Sequence, residues 1–383
     1  MVKLERMAQQ IIPKPVKIRL GKGHLGSSIR DRLLTQKSLS KAAQSWQARE
    51  KIPLLLLLAA IGCGSSPVLA QTEANSFADL CSRRDELPRS ARRTINTLLD
   101  KAKTEDCAEA QQTLTSRSIL DLSSSDVEDL TPLQSLPHLR QLNLYDNRVE
   151  DLTPLQSLPN LTILSLTQNR IRDITPLQSL TKLTSLNLDG NRISDISSLS
   201  TLTNLTALDL SSNEISDLTA LSPLTKLDLL GLNANRISVL TPLQPLTNLS
   251  LLGLADNQIT DLTPLQSLTN LAALSLNNNQ ITDLTPLQSL TRLTILGLDG
   301  NQITTLNGLQ ALTNIDTLGL SNNQITDLTP LQPLTNLTAL DLSNNEITDL
   351  APLQGLTNLQ LLNLQNNDIN NRACPVSSEI CEF

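Results

Sequence analysis

Between residues 114 and 371 the chain repeats every 22 residues without insertion or deletion, and no other feature restricts its folding so strongly. A well-formed copy reads Leu136-Pro-His-Leu139-Arg-Gln-Leu142-Asn-Leu144-Tyr-Asp-Asn147-Arg-Val149-Glu-Asp151-Leu152-Thr-Pro154-Leu155. The pattern returns from Leu158, Leu180, Leu202, Leu224, Leu246, Leu268, Leu290, Leu312 and Leu334. Degenerate copies begin at Leu114 and Leu356, which brings the total to twelve units with atypical ends. A strict period of this length marks a solenoid in which each unit touches only its neighbours. One unit buries too few aliphatic side chains to offset the entropy of ordering its backbone, so stacking is what makes the fold stable.

Each position in the unit has its own physical role. Alternation as in Leu252-Gly253-Leu254 predicts a short strand with alternate residues turned inward. The invariant amide column comprises Asn147, Asn169, Asn191, Asn213, Asn235, Asn257, Asn279, Asn301, Asn323, Asn345 and Asn367. A turn inside a solenoid leaves backbone groups away from water, and an amide side chain offers both donor and acceptor to satisfy them. We therefore read these residues as a structural ladder rather than a ligand site. The following Asp-Leu-Thr-Pro-Leu-Gln, as at Asp261 to Gln266, predicts a short 3₁₀ piece on the convex side with Thr as cap and Pro as first helical residue. The Asp column (Asp129, Asp151, Asp173, Asp195, Asp217, Asp261, Asp283, Asp327, Asp349) lacks the Gly/Asp loops of a calcium ladder and is expected to cap turns.

The Leu-x-x-Leu-x-Leu-x-x-Asn pattern resembles the leucine-rich-repeat family, in the 22-residue class shared by bacterial internalins and a regulatory subunit of eukaryotic protein phosphatase 1. The resemblance implies an α/β-type solenoid arc, with a parallel sheet on the concave face and short 3₁₀ turns on the convex face. The expected role is a non-enzymatic secreted or surface interaction scaffold, with a lipid-anchored envelope spacer as the alternative and, from the phosphatase relative, an intracellular regulator as a further one.

Composition argues against an enzyme. Aromatic residues make up only 1% of the chain, so the core must be built from repeated aliphatic residues. The only two histidines are His24 and His138, too few for a His-based metal site or a His-assisted nucleophile. No catalytic residue, metal or cofactor is expected.

The ends differ from the middle. Residues 1–51 carry a net charge of +9, and the chain from Gln71 onward carries −16. The basic stretch runs into Ile52-Pro-Leu-Leu-Leu-Leu-Leu-Ala-Ala-Ile61 and then Ser66-Pro-Val-Leu-Ala70, the layout of a secretory signal cut after Ala70. Its apolar run is too short to span a bilayer. Ala60-Ile-Gly-Cys63 also resembles a lipoprotein box that would lipidate Cys63, and the long flank equally fits an over-extended gene start. Nucleic-acid binding is not expected, because the basic run has no interleaved aromatics. Membrane association is expected only through the signal or a lipid at Cys63.

Four cysteines remain after Ala70, and they flank the repeats in two pairs: Cys81 with Cys107, and Cys374 with Cys381. Three connectivities are open; the local pairing is our expectation, and neither spacing suits zinc. Residues 71–113 read as a helical N-terminal cap, with Ser90 opening a helix that buries Ala91, Ile95, Leu98, Leu99 and Ala102. A second helix would carry Cys107, Ala108 and Ala110. Residues 372–383 read as a disulfide-closed C-terminal cap.

Partner binding is expected on the concave face, by a protein, peptide or glycan, with the chain a monomer. That face is mainly Ser, Thr, Asn, Asp and Gly, with Tyr145 its sole aromatic, so it lacks the Trp, Tyr and Arg that dominate tight interfaces. Gly231, Gly253, Gly297 and Gly319 stand between strand leucines, and Leu229, Leu251 and Ile295 precede three of them. Together they suggest a shallow, aliphatic-floored trough, to be weighed against simple drift of the repeat. Arg148, Arg170, Arg172 and Arg192 form a basic group in the early units, read as a solvated face.

Overall fold

The computed structural model describes residues 76–370, 373–376 and 380–383. The signal segment, the cut after Ala70 and Cys63 lie outside the described residues.

Three helices form the N-terminal piece: α1 (Phe77–Ser82), α2 (Arg89–Ala102) and α3 (Cys107–Thr115). Ser76 caps α1 through Oγ, which accepts from Asp79 N at 3.1 Å, and Asp106 caps α3 by accepting from Ala108 N and Glu109 N. Helix α2 opens two residues earlier than the sequence suggests: Pro88 holds the cap position, and Ser90 lies inside the first turn. Pro pre-sets the entry angle but supplies no side-chain acceptor, and no side-chain cap bond is made. Its buried face carries Ala91, Ile95, Leu98, Leu99 and Ala102 together with Thr94. The Thr94 hydroxyl donates to Asp129 O of the first coil at 2.8 Å, tying the helix to the solenoid. Cys81 of α1 is bonded to Cys107 of α3, with Cα atoms 5.7 Å apart.

The coils follow as a single parallel sheet whose strands lie in chain order. They run from β1 (Ile119–Asp121) and β2 (Gln141–Asn143) to β12 (Leu361–Asn363), each three residues long. Register is offset by one repeat throughout, so Leu230 pairs with Leu252 and Leu252 with Leu274. The inward leucines of every coil merge into one core that extends from Phe77 to Ile369. Isolated three-residue strands are unstable; here every one from β2 to β12 pairs on both sides, and the central Leu of each is buried.

The C-terminal piece adds a feature the sequence reading did not contain. Cys381–Glu382 form β13, parallel to β12 with Leu362 opposite Cys381. Cys381 is bonded to Cys374, and Val376, Ile380 and Phe383 pack against the end of the core. This strand covers the open edge of β12, the position at which a sheet would otherwise recruit another chain.

Convex turns are 3₁₀ pieces such as Thr241–Leu243, Thr263–Ser267 and Thr285–Ser289. The cap differs from the expected one. Leu262, not Thr263, holds the cap position and makes no side-chain bond; the capping oxygen is Asp261 Oδ1, which accepts from Thr263 N at 2.8 Å. The carboxylate reaches this N–H because it lies two residues upstream, an Asx-turn geometry. All nine residues of the Asp column make the same bond.

Candidate functional site

The concave face is a continuous open sheet, with the coil turns along one margin. Each ladder Asn lies in that turn just after a residue with left-handed backbone, including Asp146, Gln168, Ser212, Asp256, Asn278, Asn322 and Asn344. Asn, Asp and Gly tolerate this conformation best, which accounts for their density beside the ladder. Asn257 shows the pattern: Oδ1 accepts from Ile237 N at 3.0 Å, and Nδ2 donates to Leu232 O at 3.0 Å and Leu254 O at 3.1 Å. Every member of the column takes an N–H and supplies a carbonyl of the preceding coil in this way. These amides are committed to backbone.

Sequence reasoning missed a second amide ladder near the convex turns. Asn160, Asn204, Asn248, Asn270, Asn314, Asn336 and Asn358 donate Nδ2 to the backbone carbonyl 23 residues upstream. The Thr-Asn-Leu recurrence was the available signal. Only the stacked coils show that its amide spans two units.

The trough residues are brought together differently from the expectation. Leu229 in β6 (Leu229–Gly231), Leu251 in β7 (Leu251–Gly253) and Ile295 in β9 (Ile295–Gly297) are half-buried between adjacent strands. Apolar residues that are truly exposed stand elsewhere: Ile119, Tyr145 and Val239. Nor is the floor aliphatic. A Cβ built on Gly253 would lie 2.7 Å from Asn233 Nδ2, and one on Gly297 would lie 2.6 Å from Asn277 Oδ1. At Gly231 the space belongs to Asp209 and Ser211, and at Gly319 to Asp299. The glycines thus make room for polar side chains of the preceding coil. What remains is a depression of about 160 Å³ over Asn277, Ile295, Gly297, Asp299, Gly319 and Asp341.

The basic group is partly paired. Arg148 meets Asp126 at 2.9 Å and Arg170 meets Glu150 at 3.9 Å, both pairs solvent-accessible and therefore weak. Among the described residues no group of three or more His, Cys, Asp or Glu is placed to share a metal ion.

Titration separates two kinds of carboxylate. Hydrogen bonds from the hydroxyl and N–H of Thr175, Thr219, Thr263 and Thr329 hold Asp173, Asp217, Asp261 and Asp327 below the ordinary value of 3.8. A depressed folded-state value contributes stability that is present above 3.8 and lost as pH falls through the folded value. Urea denaturation of wild type and an Asp261→Asn/Asp327→Asn variant between about pH 5 and 2.5 should show a smaller acid loss in the variant. An identical acid loss would show that these turns do not discriminate the charged form. Asp189, on the concave face, goes the other way and is pushed up to about 6 by burial and by the charge of Asp209.

The comparisons agree with this geometry. A leucine-rich-repeat family model, spanning two repeat copies, matches residues 137–179, 159–201, 181–223, 247–289, 291–333 and 335–373. An internalin from Listeria monocytogenes is 34% identical, with 76% of this chain and 94% of that one covered at a TM-score of 0.65. A leucine-rich-repeat protein from Leptospira interrogans is 29% identical, with 69% and 70% covered at 0.65. The ectodomain of a plant receptor kinase from Arabidopsis thaliana, 24% identical with 67% and 36% covered at 0.55, shares the fold alone. No curated protein matches the chain. The chain belongs to the leucine-rich-repeat family, is similar within it to bacterial internalins, and has the build of an interaction scaffold.

Proposed function

We propose that the chain is exported and acts without catalysis as a scaffold that holds a protein or peptide against its concave sheet. The carrying observation is the uninterrupted face of parallel strands, which offers a partner one continuous surface. Export is supported by the two bonded cysteine pairs, which persist in oxidising compartments, and by the signal-like leader. The scarcity of aromatic anchors favours a modest affinity. A protein or peptide is favoured over a glycan because sugars stack on aromatic rings, and only Tyr145 is available on this face.

A photo-crosslinking residue placed at Leu251 or Ile295, compared with one at the convex Gln266, tests the reading in envelope material. Adducts to one protein from the concave positions, absent from Gln266, are expected. Equal labelling, or none, would favour the alternative of an envelope spacer anchored through Cys63. Mass spectrometry of the native N-terminus separates these forms: Gln71 for soluble export, lipidated Cys63 for anchoring and Met1 for a cytosolic regulator.

A further inference from the structure

Two concave positions obey a hydrogen-bonding rule: the residue between the strand leucines and the residue that trails the second leucine. Where the first is Gly253, Gly297 or Gly319, the trailing N–H donates to the preceding coil. Ala255 N reaches Asn233 Oδ1 at 2.9 Å, Asp299 N reaches Asn277 Oδ1 at 3.0 Å, and Ser321 N reaches Asp299 Oδ1 at 2.8 Å. Where the first is Asn or Asp, that side chain takes the N–H itself. Tyr145 N bonds Asn143, Asp189 N bonds Asn187, Ser211 N bonds Asp209, Ser343 N bonds Asp341 and Gln365 N bonds Asn363.

The trailing residue of the preceding coil then faces an occupied acceptor, where a hydroxyl can donate and a carboxylate cannot. It is a hydroxyl at Ser123, Thr167, Ser321 and Ser343, and Thr167 donates to Asn187 Oδ1 at 2.6 Å. The exception is Asp189, which follows β4 (Ser185–Asn187) and faces Asp209 of β5 (Ala207–Asp209). Two carboxylates meet where the sister coils place a hydroxyl against the acceptor. Asp189 and Asp209 are 4% and 5% exposed, and Asp189 Oδ1 is buried without a hydrogen-bond partner. No ion pair among the described residues involves either carboxylate.

We propose that Asp189 and Asp209 hold a calcium ion between β4 and β5, with the Ser211 hydroxyl and water from the concave side completing an all-oxygen shell. Two carboxylates with neutral oxygens and no nitrogen or sulfur donor select a hard cation, and the irregular donor set suits calcium better than octahedral magnesium. The ion would lock the coils beneath the early half of the binding face.

The test uses the purified, chelator-treated chain at about pH 7.5, with calcium followed by titration calorimetry and thermal unfolding and magnesium as comparator. One calcium per chain and a rising Tm are expected, with a smaller response to magnesium. Asp189→Asn and Asp189→Ser supply the donor found in the sister coils. Both should fold, melt above calcium-free wild type, and bind calcium about tenfold or more weakly, since one carboxylate is gone. Wild type that ignores millimolar calcium while its Tm rises as pH falls towards about 5 would overturn the proposal in favour of a shared proton. Calcium binding undiminished in Asp189→Asn would overturn it by placing the ion elsewhere.

Discussion

Replacing Asn257 with Leu lowers the unfolding free energy by about 2–3 kcal/mol, a large loss for a single side chain outside the aliphatic core. Leu matches Asn roughly in volume, so the loss does not come from a cavity. It comes from Ile237 N, left without a partner in a dry turn, while Leu232 O and Leu254 O each lose one amide donor and keep those of Asn235 and Asn279. Each unmade bond to a buried group costs about 1–3 kcal/mol. The partners belong to two different coils, so the substitution weakens an interface between repeats and not only a local turn. Asn270→Leu is the matched control. Its Nδ2 bonds Thr247 O at an exposed position, where water replaces the lost partner and the cost stays below about 1 kcal/mol. Urea denaturation of both variants decides the matter. A midpoint for Asn257→Leu as close to wild type as that of Asn270→Leu would mean that water enters the turn and the ladder is dispensable.

Gly308→Ala is the second large effect, about 3–5 kcal/mol. One coil replaces the usual Leu-Thr-Pro-Leu by Leu306-Asn307-Gly308-Leu309, and its backbone turns through φ of +104° at Gly308. That region is strained for any residue with a Cβ. A Cβ there would also lie 2.7 Å from Leu284 C and 2.8 Å from Thr285 Cα, atoms of the preceding coil's backbone. Backbone cannot swing aside as a side chain does, so coil spacing itself has to change. Gly355 provides the contrast, since a Cβ there meets nothing within 4 Å. Gly355→Ala should therefore be neutral or slightly stabilising, through a less flexible unfolded chain. Thermal unfolding that ranks the two alanine variants together would remove the close-approach argument for Gly308.

These two residues show how unevenly the chain could be read. Asn257 was legible because its column holds from Asn147 to Asn367 and a dry turn requires both a donor and an acceptor. Gly308 was not, because a single irregular unit carries no periodic signal and the clash partner lies one coil away. The candidate site divides the same way. Leu229, Leu251 and Ile295 were placed on the concave strands by alternation alone, but alternation does not show how far neighbouring strands cover them. The glycines beside them suggested open floor, and in three dimensions Asn233, Asn277 and Asp299 fill it. Thr263 seemed the natural cap by residue preference, yet Asp261 does the capping, because two-residue spacing brings its carboxylate onto the Thr263 N–H.

By itself the sequence determined the solenoid, its parallel strands, the inward leucines and the backbone role of the main Asn column. It could do so because a strict period turns spacing along the chain into position in space, so one unit describes all. Only the tertiary structure decided what happens between non-identical units. The meeting of Asp189 with Asp209, the glycine gaps filled from the coil before, and the thirteenth strand that closes the edge all depend on which side chains stacking brings face to face. Those contacts join residues about 20 apart on different coils, where small departures from the repeat have no local signature but carry the full cost or gain of a buried interaction.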